Sequence, residues 1–349
     1  MKDIYSLNSY SYNLPPECIA QSPTNPRDSS RLLVWDIKAG TTDTARHFRD
    51  IVNFLRPDDL LILNDTKVIP ARLHGTRSGG GHCEIFLLRN LSPDFLTWEA
   101  LVRPARKIHS GSCVSVNDVV LHILDEKPEG IRTVRFELSG RDEFMKFLEQ
   151  SGHVPLPPYI HNDNDMRAAY QTVFARNDGS VAAPTASLHF TPGLLAEIQA
   201  MGVKIGYVTL HVGLGTFRPV KSQDIRNHAI HTEHCTIPED TAAMIRECKG
   251  RVIASGTTAA RTLESLEGKA GTMETGLYIY PGFKFKVVDA LITNFHLPES
   301  SLIMLVSAFA AYKAGGHEAE MLSRLIGIYE ECAKTGWRFF SFGDAMFIM

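Results

Sequence analysis

Two textures alternate along this chain, and their order constrains the fold more than any single motif. Between residues 71 and 140, short apolar runs recur at 83–88, 97–102, 113–116, 119–124 and 132–138, with turn residues between them. Strands at such close intervals read as a small barrel or sandwich. Ser78-Gly79-Gly80-Gly81 supplies a flexible turn ahead of the first of these runs. From about residue 141, helix and strand signals alternate instead. Phe144, Phe147 and Leu148 follow helical spacing, and Gly152 sits at a C-cap position. Thr191-Pro192 opens a capped helix that ends at Gly202. Strands are expected over 203–212, 251–255 and 288–293, and helices over 258–266 and around 302–314. A compact strand at 60–63 runs into Asn64-Asp65-Thr66, whose side chains favour a turn by bonding nearby backbone. Alternation of this kind implies an α/β sheet. The expected fold is α/β: a large sheet domain at residues 1–70 and 141–349, with a small β-barrel domain inserted at 71–140. A row of three domains is the other arrangement the texture allows.

Bulk properties narrow the function classes. A chain of 349 residues suggests about two domains. The net charge of -3 gives no overall pull toward nucleic acid, so any such contact must be a local patch. Cys18, Cys83, Cys113, Cys235, Cys248 and Cys332 include no C-x-x-C pair, which argues against a zinc ribbon and against a disulfide framework. Residues 1–13 are polar, and the longest apolar stretch, 301–312, is too short to span a bilayer. A cytoplasmic protein without a membrane segment is expected.

Five segments carry residues suited to chemistry. Residues 253–261 (IASGTTAAR) read as strand, small-residue turn and helix, with backbone N–H groups directed out of the turn. Ser255, Gly256 and Thr257 would let a nucleoside or carboxylate approach closely; an ordinary βα connection has the same pattern. Residues 211–219 (HVGLGTFRP) also follow a strand. The G-x-G there is not a dinucleotide fingerprint, because no third glycine follows and Pro219 blocks a helix. This loop carries His211, Thr216 and Arg218 either toward a site or into a tight turn. Residues 182–191 (AAPTASLHFT) place Thr185 and small residues before His189, which reads as a general base or as a satisfied core histidine. His228, His231, Glu233, His234 and Cys235 invite a metal reading, but no second ligand cluster accompanies them. Arg103, Arg106 and Lys107 form a basic cluster with no acid inside it, and Lys67, Arg72 and Arg77 lie upstream. Such a set suits phosphates, or a solvated strand end. Tyr159 and Trp98 offer stacking surfaces, without a recognisable RNA-binding motif.

Taken in order, these segments resemble one family, the S-adenosylmethionine:tRNA ribosyltransferase-isomerases of queuosine biosynthesis. The resemblance runs through 14–21 (LPPECIAQ), 30–34 (SRLLV), 63–73 (LNDTKVIPARL), 152–160 (GHVPLPPYI), 170–175 (YQTVFA), 182–191, 211–219, 255–258 (SGTT), 291–298 (LITNFHLP) and 338–346 (RFFSFGDAM). Ser187 stands where the family usually has Gly, and Phe342 where it usually has Tyr. The resemblance implies that the ribosyl part of S-adenosylmethionine moves to 7-aminomethyl-7-deazaguanine at the tRNA wobble position, giving epoxyqueuosine and releasing adenine and methionine. It implies S-adenosylmethionine as co-substrate, no metal, and a monomer or weak homo-oligomer whose partner is that tRNA. The sulfonium acidifies a ribose carbon, so a base is required, and His189 and His211 are the candidates. Asp65, Thr257 and Asn294 would assist adenine departure, with Glu233 and His231 at ribose hydroxyls or a migrating proton. Thr185, Thr216, Ser255, Gly256, Thr257 and Asn294 would line the S-adenosylmethionine pocket. Arg72, Arg103, Arg106, Lys107 and Arg218 would meet tRNA. A sugar-nucleotide transferase, a non-catalytic RNA-binding protein and a zinc protein are the competing readings.

Overall fold

The protein was described from a computed structural model, which covers residues 3–157, 159–160, 166–213 and 220–349. The chain divides into two compact units: Met1–Thr66 with Pro158–Arg176 and Ala183–Met349, and Lys67–Pro157 with Asn177–Ala182.

In chain order, the first unit begins with β1 (Arg31–Asp36), β2 (Thr41–His47) and β3 (Leu60–Asn64). Then come β4 (Thr66–Val68), β5 (Arg72–Arg77), β6 (His82–Asn90), β7 (Thr97–Arg103), β8 (Cys113–Val116), β9 (Val119–Glu126), β10 (Ile131–Phe136), α1 (Arg141–Ser151), β11 (Gly152–His153) and β12 (Asn177–Ser180). The chain completes the first unit with α2 (Pro192–Ala200), β13 (Lys204–Leu210), β14 (Glu233–Ile237), α3 (Glu239–Glu247), β15 (Val252–Ser255), α4 (Thr257–Ser265), β16 (Gly271–Thr275), β17 (Ala290–Asn294), α5 (Ser301–Lys313), α6 (Glu318–Lys334) and β18 (Ala345–Ile348).

The first unit is built on a nine-stranded mixed sheet in the order β16-β14-β13-β3-β15-β17-β18-β1-β2. Its centre, β13-β3-β15-β17, is parallel throughout. Every residue of β3 is buried, as a strand covered on both faces requires. The alternation shows how. Leu60 and Ile62 join one apolar cluster with Ala260 and Leu263 of α4, Phe309 of α5 and Leu325 of α6. Leu61 and Leu63 join another with Leu194 and Ile198 of α2 and Phe48 and Ile51 of a 3-10 turn. The sheet is therefore the middle of three layers. No helix among the described residues is long and apolar enough to cross a membrane.

The second unit closes β5, β6, β7, β10, β9 and β8 into an antiparallel barrel, with β11 added to the free part of β5. β7 shows the strand alternation that fills the interior: Trp98, Ala100 and Val102 are buried and their neighbours less so. Closure happens where Thr76 of β5 pairs with Ser115 of β8. A Cβ on Gly75 there would lie 2.6 Å from Ser115 O, so the seam needs a glycine. The unit extends past the expected boundary at residue 140, because Phe144 of α1 stacks on Trp98 (5.6 Å) and meets Phe136 edge-on (4.9 Å). These contacts make α1 part of the barrel's core and not of the α/β unit.

Candidate active site

The four parallel strands end on one side of the first unit, and in open α/β sheets that side collects ligand-binding groups. At the end of β3, Asn64 uses its whole hydrogen-bonding capacity. Its Nδ2 donates to Leu210 O and to Thr258 Oγ1, both at 3.1 Å. Its Oδ1 accepts from Thr66 N (3.2 Å) and Leu210 N (3.0 Å). One side chain thus ties the ends of β3 and β13 to the first turn of α4. Asp65 is buried beside it, accepting from Thr209 Oγ1 at 2.6 Å and from Arg176 Nε at 2.5 Å. Thr66 Oγ1 lies 2.7 Å from Nδ1 of His211, just beyond β13. The His211 ring is half-buried and nearly parallel to that of His234, with centroids 6.0 Å apart.

The β15–α4 turn comes next along the edge. Gly256 adopts φ +91°, a left-handed conformation suited to glycine, and its N–H donates to Ile292 O at 2.8 Å. Ser255, wholly buried, pairs its Oγ with Ser187 Oγ at 2.8 Å. At the end of β17, Asn294 Nδ2 donates to Phe340 O (3.0 Å) and approaches His189 Nε2 (3.3 Å). His189 Nδ1 lies 2.7 Å from Ser30 Oγ, and its ring stacks on Phe48. Burial, with the nearby Arg338 and Arg27 cations, pushes its pKa down to about 3, so the ring is neutral. Asn294 Oδ1, also buried, has no partner among the described residues.

On the far side of His211, Glu233 opens β14. Its Oε1 accepts from Gly213 N at 3.0 Å, and its Oε2 accepts from Arg261 Nη1 of α4. Both side chains are buried, so the two charges compensate each other out of water.

Sequence comparison decides what this edge belongs to. The family model described as "Queuosine biosynthesis protein" matches residues 7–348. The chain belongs to that queuosine biosynthesis family. Among its relatives, proteins named S-adenosylmethionine:tRNA ribosyltransferase-isomerase from Syntrophomonas wolfei and Citrifermentans bemidjiense are 47% and 48% identical, covering 100% and 98% of this chain and 98% and 99% of their own. The crystal structure of S-adenosylmethionine tRNA ribosyltransferase from Thermotoga maritima aligns with TM-score 0.53 at 35% identity, over 98% of this chain and 100% of that one.

In this queuosine-family chain, the residues expected at a site fall into three groups. His189, His211, Asp65, Glu233, Ser255, Gly256, Thr257 and Asn294 all stand at or next to the strand-end edge of the first unit, and Thr185 opens the short turn carrying Ser187. Arg72, Arg103, Arg106 and Lys107 belong to the barrel unit. There Arg103, Arg106 and Lys107 are exposed, whereas Arg72 bonds Glu84 at 2.8 Å and covers the Phe86 ring. Thr216 and Arg218 lie outside the described residues. His231, Glu233 and Cys235 form no metal-ligand group, and none occurs among the described residues. All six cysteines are free. Ser187 does not crowd its surroundings; its hydroxyl completes the pair with Ser255. Phe342 is buried edge-on against Tyr170. Sequence reasoning gave no role to Ser30, Arg176 or Arg261, whose partners are 159, 111 and 28 residues away. No local pattern marks pairings of that range.

Proposed function

We propose that this edge is where the chain, as an S-adenosylmethionine:tRNA ribosyltransferase-isomerase, moves and rearranges the ribosyl group of S-adenosylmethionine. The acceptor is 7-aminomethyl-7-deazaguanine at the tRNA wobble position; the products are epoxyqueuosine-tRNA, adenine and methionine. The observation that carries the reading is the convergence of His211, Ser255, Gly256 and Asn294 at the ends of the parallel strands β13, β15 and β17, in a chain of this family.

The sulfonium supplies the acidity of the neighbouring ribose carbon. His211 takes that proton: with Nδ1–H donated to Thr66 Oγ1, the ring's lone pair stands on Nε2. His189 is the weaker candidate, because a ring held neutral with a pKa near 3 has little affinity for a proton. It acts instead by fixing Asn294, donating Nδ1–H to Ser30 and accepting at Nε2. Asn294 Oδ1 then suits an N–H donor such as the adenine amino group. The turn Ser255-Gly256-Thr257, at the positive end of α4, suits the methionine carboxylate. Asp65 anchors the edge through Thr209 and Arg176 and transfers no proton. Arg103, Arg106 and Lys107 take tRNA phosphates. The reaction needs no metal, and the protein works in the cytoplasm as a monomer or weak homo-oligomer.

The test is adenine release. Chelator-treated protein is incubated with S-adenosylmethionine, with and without tRNA bearing the aminomethyl base. Adenine and methionine in equal yield, formed only with that tRNA and accompanied by epoxyqueuosine, is the expected result. Folded protein giving no adenine in either tube refutes the activity.

A further inference from the structure

We infer that the ring of Phe340 is a stacking platform for the fused-ring base of one of the two substrates, the adenine of S-adenosylmethionine or the deazaguanine of the tRNA. The assignment rests on the activity proposed above. Phe340 is the exception in the run 339–342 (FFSF). Phe339 is buried against the rings of Phe295 and Tyr329, and Phe342 is buried against Tyr170. Phe340 is only half-buried and belongs to neither of the apolar clusters on the two faces of the sheet. Its one ring contact among the described residues is Tyr159, which meets it edge-on at 4.0 Å and 87°. An edge-on neighbour covers at most one face of a ring.

The backbone beneath that ring is strained. Phe340 adopts φ +74°, the left-handed region in which a Cβ crowds the following carbonyl. Glycine would hold the same turn without that cost. The conformation persists because its surroundings over-determine it. Phe340 N–H donates to Phe295 O at 3.0 Å, and Phe340 O accepts from Gly343 N at 2.9 Å and from Asn294 Nδ2 at 3.0 Å. Asp344 N donates to Arg338 O at 2.8 Å, and Arg338 N donates to Asp344 Oδ2 at 2.9 Å, which closes the loop. A Cβ on Gly343 would lie 2.5 Å from Phe339 C, so the loop is drawn tight at that point. The fold thus accepts a strained phenylalanine and buries little of it in return. Core packing does not account for the ring, and strain held in this way gathers where a ligand is clamped.

Position connects the ring to the reaction. The loop 338–344 leads into β18, whose Ala345 pairs with Asn294 at the end of β17. The Asn294 amide reaches Phe340 O on one side and His189 on the other. The Tyr159 hydroxyl shares a 2.5 Å hydrogen bond with Ser341 Oγ, which fixes Tyr159 and, through the edge-on contact, the plane of Phe340. A flat apolar face of fixed plane, at an edge otherwise lined by polar groups, matches the face of a fused-ring base, since stacking demands no particular donor or acceptor. Both bases of the reaction come to this edge, adenine to leave and deazaguanine to be modified, and the experiment separates them.

Calorimetric titration of the full chain measures each substrate alone: S-adenosylmethionine without tRNA, and tRNA bearing the aminomethyl base without S-adenosylmethionine, so that neither turns over. Phe340→Gly suits the left-handed backbone and deletes the ring. It should bind one of the two substrates about tenfold to a hundredfold more weakly than the wild type, with little change in melting temperature. A loss toward S-adenosylmethionine assigns the platform to adenine, and a loss toward tRNA assigns it to deazaguanine. Phe340→Leu, which keeps apolar bulk without a flat face, should lose a similar factor, and Phe340→Tyr should recover the affinity. The proposal is overturned if Phe340→Gly keeps both affinities within about threefold. It is equally overturned if Phe340→Leu binds as tightly as the wild type, which makes the ring apolar filler, or if Phe340→Tyr loses as much as Phe340→Gly, which is damage to the loop. The Leu and Tyr variants carry the test if Phe340→Gly does not fold, which a melting curve reports. Adenine release by the wild type is read separately, so the platform can fail while the activity stands.

Discussion

Lowering the pH from 6.5 to 5 should destabilise the first unit through two buried histidines. His189 and His296 are both buried, and burial pushes each pKa down from 6.5 to about 3, with Arg338 and Arg27 adding to the effect at His189. His296 Nε2 lies 2.8 Å from Thr293 Oγ1. Between pH 6.5 and 3 the unfolded chain binds a proton at each ring that the folded chain refuses. Unfolding therefore takes up protons, and stability falls as pH falls. Each fully unmatched proton gives a slope of about 1.4 kcal/mol per pH unit, so both rings together cost roughly 2 kcal/mol between pH 6 and pH 5. That is a large part of a typical total of about 5–15 kcal/mol. Asp59, whose pKa is lowered by its bonds to Arg251 against the opposing effect of burial, adds a loss of the same sign only nearer the ordinary carboxylate range. Glu264, whose pKa is raised by burial, opposes the loss by taking up a proton in the folded state, and His228, lowered by burial and by His231, adds to it; comparing two proteins that differ only at His296 cancels both.

Trp98→Phe leaves Trp35 and Trp337 as reporters, both in the first unit. Urea unfolding of that protein, followed by tryptophan fluorescence at constant ionic strength, gives the stability at each pH. His296→Gln in the same background removes one titrating ring, so its stability should fall less steeply with acidification, by about 1 kcal/mol between pH 6 and pH 5. A stability that stays constant from pH 6.5 to 5, or an equal slope in both proteins, would refute the reasoning.

Three further outcomes follow from the site. His211→Ala should lower kcat by about a hundredfold to ten-thousandfold with little change in KM for S-adenosylmethionine, and an unchanged kcat removes His211 as the base. Ser187→Ala leaves the wholly buried Ser255 hydroxyl without its 2.8 Å partner and should cost about 1–3 kcal/mol in the same urea assay. Replacing Arg103, Arg106 and Lys107 by Ala should flatten the dependence of log Kd for tRNA on log salt by about 2–3, whereas Arg72→Ala, already paired with Glu84, should change it less; an equal change from Arg72→Ala alone contradicts that assignment.

How far the sequence reveals this structure depends on how local each signal is. The barrel strands from β6 to β10 are visible because each carries its own alternation and turn. β5 is not visible, since Gly75 breaks its pattern, and the reason for that glycine is the backbone of Ser115 on a strand laid down 38 residues later. β1 and β18 pair in parallel, Leu32 with Ala345, across almost the whole chain, and no window of sequence contains both. The site divides in the same way. The Ser255-Gly256-Thr257 turn is written in consecutive residues. The neutrality of His189 is not, because it comes from Phe48, Asn294, Arg338 and Arg27 gathered from four distant segments.

That division explains which side chains at the edge are available for chemistry. Asp65 looks reactive in sequence and Asn64 only turn-forming, yet folding supplies both with partners, Leu210 and Thr258 for Asn64 and Thr209 and Arg176 for Asp65, which tie the strand ends together. Asn294 Oδ1 and Arg261 Nη2 are the reverse case: each belongs to a residue whose other polar atoms are bonded within the fold, and each has no partner among the described residues. An orientation fixed by internal bonds, with one buried atom unmatched, is the arrangement preorganisation requires, because no reorganisation is then needed when a ligand atom arrives. On this argument, replacing Asn294 by Asp should lower both the melting temperature and the affinity for S-adenosylmethionine, because the acceptor remains but is no longer held in place. The new carboxylate keeps an acceptor at the unmatched position but loses the amide that holds Phe340 O and His189. A variant whose melting temperature falls while its affinity is unchanged would place Asn294 in the scaffold with Asn64.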